Sequence, residues 1–123
     1  MKREGLRHGF RPEVWEEAKA EAIRAMVQRA RKSRTISYSE LVAEIRAVRM
    51  EPHDPRLSHF LGEIAEEEDA AGRGMLTVVV VHKRGDQKPG PGFYEMARQL
   101  GRDISDPEAF WIAEFEAVRH TWS

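Results

Sequence analysis

Residues 34–48 read RTISYSELVAEIRAV and specify a strand, a cap and a helix in that order. Thr35 and Ile36 read as a very short strand. Ser37 is placed to cap a helix, because its hydroxyl can accept an orphan backbone N–H of the first turn, and Glu40 three residues on completes a capping box. Ile36 before the cap and Leu41 at the fourth helical position make a hydrophobic staple. The helix is predicted to run from about Tyr38 to Val48 and to bury Leu41, Val42, Ile45 and Val48.

Upstream, Pro12 suits the first turn of another helix. Val14, Trp15, Ala18, Ala22, Met26 and Ala30 recur at three- and four-residue spacing, so the first helix is amphipathic and reaches about Lys32. Residues 1–11 read as a flexible basic arm. Downstream, RMEPHDP (49–55) is a turn that ends in Asp54 as a cap and Pro55 as a first helical residue. The third helix buries Leu57, Phe60, Leu61 and Ile64, exposes Arg56, Ser58, His59 and Glu63, and ends at AAGRG (70–74). MLTVVVVH (75–82) is predicted as the strongest strand, covered on both faces. KRGDQKPGPG (83–92) is a turn-rich basic loop, FYEMARQL (93–100) a short helix, and Asp106 and Pro107 start a last helix. On that helix Trp111, Phe115, Val118 and Trp122 form one apolar stripe.

At 123 residues, 41% hydrophobic and 33% charged, the chain is expected to form one globular domain spanning 1–123. The absence of cysteine excludes disulfides, thiolate nucleophiles and Cys-based zinc sites. The N-terminus has no apolar signal-peptide core and no run is long enough to span a bilayer, so a cytoplasmic protein without membrane contact is expected. The net charge is −1, but residues 1–34 carry +5, 35–69 carry −6, 70–98 carry +3 and 99–123 carry −3. Alternating blocks of this kind can fold into a dipolar surface with one basic face.

Helix, short strand, helix, helix, strand and basic loop is the element order of a winged helix, a helix-turn-helix variant with a small sheet and a hairpin wing. The expected class is therefore α+β: a mostly helical, winged-helix-like domain with a small sheet and extra C-terminal helices. TISYSELVAEI (35–45) resembles the T-x-S-Y-x-E-L-A segment of alkylguanine-DNA alkyltransferases and alkyltransferase-like proteins. In that family a winged-helix domain flips a base out of DNA, and the reactive strand reads roughly Val-Pro-Cys-His-Arg before a Gly-rich motif. The resemblance covers about residues 33–98 and sets His82 and Lys83 on the His-Arg pair, with Gly92 and Phe93 near the Gly-rich motif. It puts Val81 where the family has its cysteine, so alkyl transfer to sulfur is excluded. A chain without asparagine also lacks the family's Asn hinge, so base flipping is not implied. The chain further resembles a set of small bacterial and phage proteins with an LGxI…G…LxxxVV…PGxGF pattern, matched by Leu61-Gly62-Glu63-Ile64, Leu76, Val80-Val81 and Pro89–Phe93.

Non-enzymatic nucleic-acid binding, most simply to double-stranded DNA, is the expected function. Lys83, Arg84 and Lys88 would supply phosphate affinity that does not depend on sequence, with Arg31 and Arg34 extending the basic face. Arg56, Ser58 and His59 on the third helix would read bases, because recognition helices read with their N-terminal half. Tyr38, Ser39 and His82 join them through the alkyltransferase-like segments. The acidic block Glu66–Asp69 at the far end of the third helix offers an alternative: a protein-interaction module that docks a basic partner or a second copy, using the aromatic last helix as well. A third reading is a metal-dependent nuclease with His82 as base and Asp86 or Glu63 on the metal. HDPRLSH (53–59) matches no standard ligand spacing, so no cofactor or metal is expected.

Overall fold

The structure is a computed structural model that describes residues 9–83, 85 and 87–123. It is mostly helical with one small sheet, the α+β class expected. α1 spans Pro12–Arg31 and runs through the core: Trp15, Ala18, Ala22, Met26 and Ala30 are fully buried along one face. The small alanines let neighbouring elements approach closely, while Trp15 fills the gap beside α3, its ring packing edge-on against Phe60 at 5.1 Å. β1 (Ile36–Ser37) leads directly into α2 (Tyr38–Glu44). The capping box forms as read: Glu40 N donates to Ser37 Oγ at 3.1 Å, and Ser37 N donates to Glu40 Oε1 at 2.9 Å.

α2 stops at Glu44, one turn earlier than its sequence predicts. The reason lies on α1. Glu21 Oε1 accepts the backbone N–H groups of Arg46 at 2.9 Å and Ala47 at 2.8 Å, donors that a longer helix would have used internally. The chain thus leaves the helix, and Ile45, Val48 and Met50 still turn inward. α3 (Pro55–Ala70) begins at the Asp54 cap, whose carboxylate accepts Arg56 N at 2.9 Å. It ends where Gly72 adopts φ +81, a left-handed conformation that suits glycine, and Arg73 N reaches back to Glu68 O at 3.0 Å.

The predicted long strand is the main correction. Leu76–Val79 form a 3-10 turn, and β2 is only Val80–Val81. A buried strand needs pairing partners for every backbone group, and β1 offers two residues. The apolar run instead bonds to itself, Val78 N to Met75 O at 2.9 Å, and to the last helix, α5 (Pro107–Trp122). There Trp111 Nε1 donates to Val78 O at 2.9 Å, and Glu114 Oε2 accepts Met75 N at 2.9 Å. Two aromatic or acidic side chains of α5 therefore take the place of a neighbouring strand. α4 spans Pro91–Gln99.

β1 and β2 are parallel, with Ile36 opposite Val80 and Ser37 opposite Val81. A parallel pair needs a long crossover, here α2, α3 and the 3-10 turn. The described residues accordingly form no hairpin wing; after β2 the chain passes through a loop to α4. Both strands end at the same side of the sheet, delivering Tyr38 and His82 together. No helix among the described residues is long and apolar enough to cross a membrane.

Candidate functional site

The C-terminal ends of the two strands open onto a cavity of about 610 Å³ between α2, α3 and α4. α3 supplies one wall. Ser58, Gly62 and Ala65 follow one another at four- and three-residue spacing, so small side chains leave the space open. A Cβ at Gly62 would come within 3.1 Å of Met96 Cε on α4, which shows how close the two helices lie there. Leu57, Leu61, Val80, Phe93 and Met96 make the remaining lining largely apolar. Polar groups stand around it: Tyr38, Ser39, His53, Ser58, His82 and Gln99.

Tyr38 is fixed from two sides. Its hydroxyl accepts Gly90 N–H at 3.1 Å, and its ring lies 5.2 Å from the His82 imidazole. Burial pushes the Tyr38 phenol up, against a smaller opposing effect of the Gly90 N–H, so it stays protonated and keeps its own O–H to donate. Gly90 is tightly packed, since a Cβ would sit 3.2 Å from both His82 Nε2 and Tyr38 Oη and would push on both side chains. His82 N donates to Lys88 O at 3.0 Å and so closes the basic loop at its base.

Among the described residues, the carboxylates that line the cavity are ion-paired and Lys83 is not. Asp54 faces Arg56, with Arg56 Nη2 2.7 Å from Asp54 Oδ2. Glu95 pairs with Arg98, which holds its carboxyl below the usual range. Lys83 at the rim is exposed and has no ion pair among the described residues. The first turns of α3 and α4, Pro55 and Pro91–Gly92, also border the cavity, and helix N-termini carry partial positive charge. The cavity is thus an apolar space whose rim carries Asp54 and Glu95, each paired with an arginine, and the exposed Lys83.

Of the residues singled out in the sequence, Tyr38, Ser39, Ser58, His82 and Lys83 converge on this cavity. The others do not. Arg56 is held in a fork by Asp54, and its guanidinium lies 4.9 Å over the Phe10 ring, which ties it to the start of α3 outside the cavity lining. His59 is exposed outside the cavity lining. Lys88 is ion-paired to Glu108 at the start of α5. Arg31 Nε donates to Trp122 O at 2.9 Å and closes the end of α5. Arg34 is exposed but precedes β1, at the end of the sheet away from the cavity. Arg84 and Asp86, and residues 1–8 of the basic arm, lie outside the described residues. Glu63 is turned to α1, where it accepts Trp15 Nε1 at 2.9 Å and Lys19 Nζ at 3.2 Å, away from His82. Among the described residues no group of three or more His, Asp and Glu could hold a metal ion. Val81, in the place of the alkyltransferase cysteine, is buried and outside the cavity lining; its neighbour Val80 faces the cavity.

The acidic block is largely engaged within the chain. Glu67 binds Lys19, Glu68 forks to Arg73, and Asp69 pairs with Arg102. Sequence reading missed the wall of the cavity, although the Ser58, Gly62, Ala65 spacing on an otherwise bulky helix face was its one visible signal.

The Asp54 clamp has a pH signature. Hydrogen bonds from the Arg56 side chain and backbone pull its carboxyl down to about 2. A depressed carboxyl contributes stability that is present above its unfolded value, near 3.8, and is lost as pH falls through about 2. Carboxyl-carbon NMR titration of Asp54 is expected to show a midpoint near pH 2, and Arg56→Ala to raise it. A midpoint near 3.8 in the native protein would mean that the clamp does not hold in solution.

Comparison of the chain with protein-family models, with curated protein sequences and with solved structures finds no match. The alkyltransferase likeness accordingly rests on the residues quoted above.

Proposed function

We propose that this is a non-enzymatic nucleic-acid-binding protein that seats one unpaired base of its ligand, most simply DNA, in the cavity between α2, α3 and α4. The observation that carries the reading is the pairing of a largely apolar space of about 610 Å³ with a rim whose unbalanced charge, among the described residues, is Lys83. Sites for planar organic ligands fall at roughly 300–1,000 Å³ and combine apolar walls with a few convergent polar groups. A base supplies the planar apolar faces and its edge supplies acceptors for the Tyr38 O–H. The neighbouring phosphates supply the anions that Lys83 and the helix N-termini favour. The sequence lacks the Asn hinge of a base-flipping family, but a base that is already unpaired needs no hinge. On this reading Ser58, which lines the cavity, is the side chain of α3 that faces the ligand.

Fluorescence anisotropy of labelled single-stranded DNA, and of duplex DNA with and without one unpaired base, tests this across a salt series. Binding is expected to weaken steeply with salt and to favour the single strand and the unpaired-base duplex. Lys83→Ala is expected to weaken all sequences alike and to flatten the salt dependence by about one phosphate contact, a slope change of roughly 0.7–0.9. Failure of every nucleic acid to bind at low salt would overturn the proposal.

A further inference from the structure

Ser39 lies at the border of the cavity. That residue also borders a second, shallower groove of about 410 Å³ along α2 and the segment that follows it. Val42, Ala43, Val48 and Met50 form its apolar bed, and Arg46 and Arg49 stand at its edge. No carboxylate lines this groove. Both arginines are exposed, and neither side chain makes an ion pair among the described residues. This sets them apart from Arg56, Arg73, Arg98, Arg102 and Arg119, each of which is held by a carboxylate. Glu44, the nearest acidic neighbour in sequence, borders a separate recess with Glu21 and Arg24, which Arg46 also touches.

The early end of α2 creates this arrangement. In a helix continued to Val48, the segment would turn by about 100° per residue and wind its side chains around one axis. Because Glu21 draws off the backbone N–H groups of Arg46 and Ala47, the chain leaves the helix at Ile45 and bends at Ala47 and Val48 instead. Ile45, Val48 and Met50 go inward, and Arg46 and Arg49 go outward beside the groove.

We infer that the groove of Arg46 and Arg49 carries the sugar–phosphate backbone of the nucleotides next to the seated base, the two guanidinium groups each taking one phosphate. The inference rests on the reading of the cavity as a base site. Its own support is the border that cavity and groove share at Ser39, and the charge: two unpaired cations on a groove free of carboxylates suit a polyanion, and arginine binds phosphate through a planar fork of donors. A single strand would thus cross Ser39 from cavity to groove, with Lys83 on the far side of the seated base.

The test uses the full chain and a fluorescently labelled single-stranded oligonucleotide that contains one internal 2-aminopurine. Anisotropy gives affinity across salt, and 2-aminopurine fluorescence reports the seated base. The double variant Arg46→Gln/Arg49→Gln is expected to reduce the salt slope by about 1.4, or about 0.7 per phosphate. Between about 50 and 200 mM salt it should therefore lose roughly sevenfold less affinity than the wild type. The 2-aminopurine signal at saturation should be unchanged. Arg46→Lys/Arg49→Lys should keep the slope, which separates charge from shape, and Arg34→Gln should leave it unaltered. A double Gln variant with the wild-type slope would overturn the inference and leave the cavity reading standing. A wild-type protein that binds no oligonucleotide would overturn both.

Discussion

Lys19→Met is expected to destabilise the protein by about 2–3 kcal/mol in urea unfolding, although methionine preserves most of the side-chain volume. Lys19 lies on the buried face of α1 with its side chain only 3% exposed, and its Nζ meets Glu16 at 2.9 Å, Glu63 at 3.2 Å and Glu67 at 2.9 Å. Breaking a buried ion pair from one side typically costs about 3–5 kcal/mol, because the partner is left as an uncompensated charge. Here Glu67 is 58% exposed and Glu63 30%, so water takes over part of the solvation and the cost falls to or below the bottom of that range. Glu63 cannot move away freely, since it also accepts the indole N–H of Trp15. Adding Glu67→Gln to Lys19→Met should therefore recover part of the loss. Burial by itself would lower the Lys19 pKa, but hydrogen bonds to Glu67, Glu16 and Glu63 outweigh it and raise the value above 10.5. A raised cation contributes stability that is present below its unfolded pKa and is lost as pH rises through the higher folded value. The wild type should accordingly lose stability above pH 10.5, and Lys19→Met should lack that contribution. A variant as stable as the wild type would show that the four side chains do not form one unit.

Gly62→Leu is expected to separate stability from binding. Leucine is favoured over glycine in a helix interior by roughly 1 kcal/mol, and Gly62 sits in the middle of α3 without a positive φ. The added side chain meets the flexible end of Met96, and the space into which both can move is the cavity itself. The melting temperature should hold or rise. Affinity for an oligonucleotide with an unpaired base should fall by roughly 5- to 150-fold, since base stacking in such sites is worth about 1–3 kcal/mol. The 2-aminopurine response should vanish with it. Unchanged affinity and response in the folded variant would show that the base does not enter between α3 and α4.

The two predictions depend on features that differ in how far the sequence reveals them. Helix starts were legible because their chemistry is local: Ser37 with Glu40, Asp54 with Pro55, and Asp106 with Pro107 sit within one turn of the groups they cap. The apolar run at 75–81 was legible as buried but not as a 3-10 turn, because its backbone partners Trp111 and Glu114 come from the far end of the chain. The end of α2 was misjudged for the same reason, since Glu21 acts on it from α1. The basic residues expected to bind were read from their place in a loop or at a helix end, which does not fix their partners. A sequence does not show that Arg31 will meet Trp122, or that Lys88 will meet Glu108. The residues that did converge, Tyr38, Ser39, Ser58, His82 and Lys83, come from the strand ends and from the exposed side of α3, where local patterning fixed their direction.

The parallel pairing of Ser37 with Val81 also bears on the order in which the molecule assembles. Its two strands are joined only after the whole of α2, α3 and the 3-10 turn has been threaded between them, so a long loop must close before two residue pairs give anything back. Contacts of such large sequence separation form late, whereas the capped helices can form early. Tyr38 and Gly90 meet only once that closure is made. Amide exchange at Ile36–Ser37 and Val80–Val81 is therefore expected to be faster than in α1.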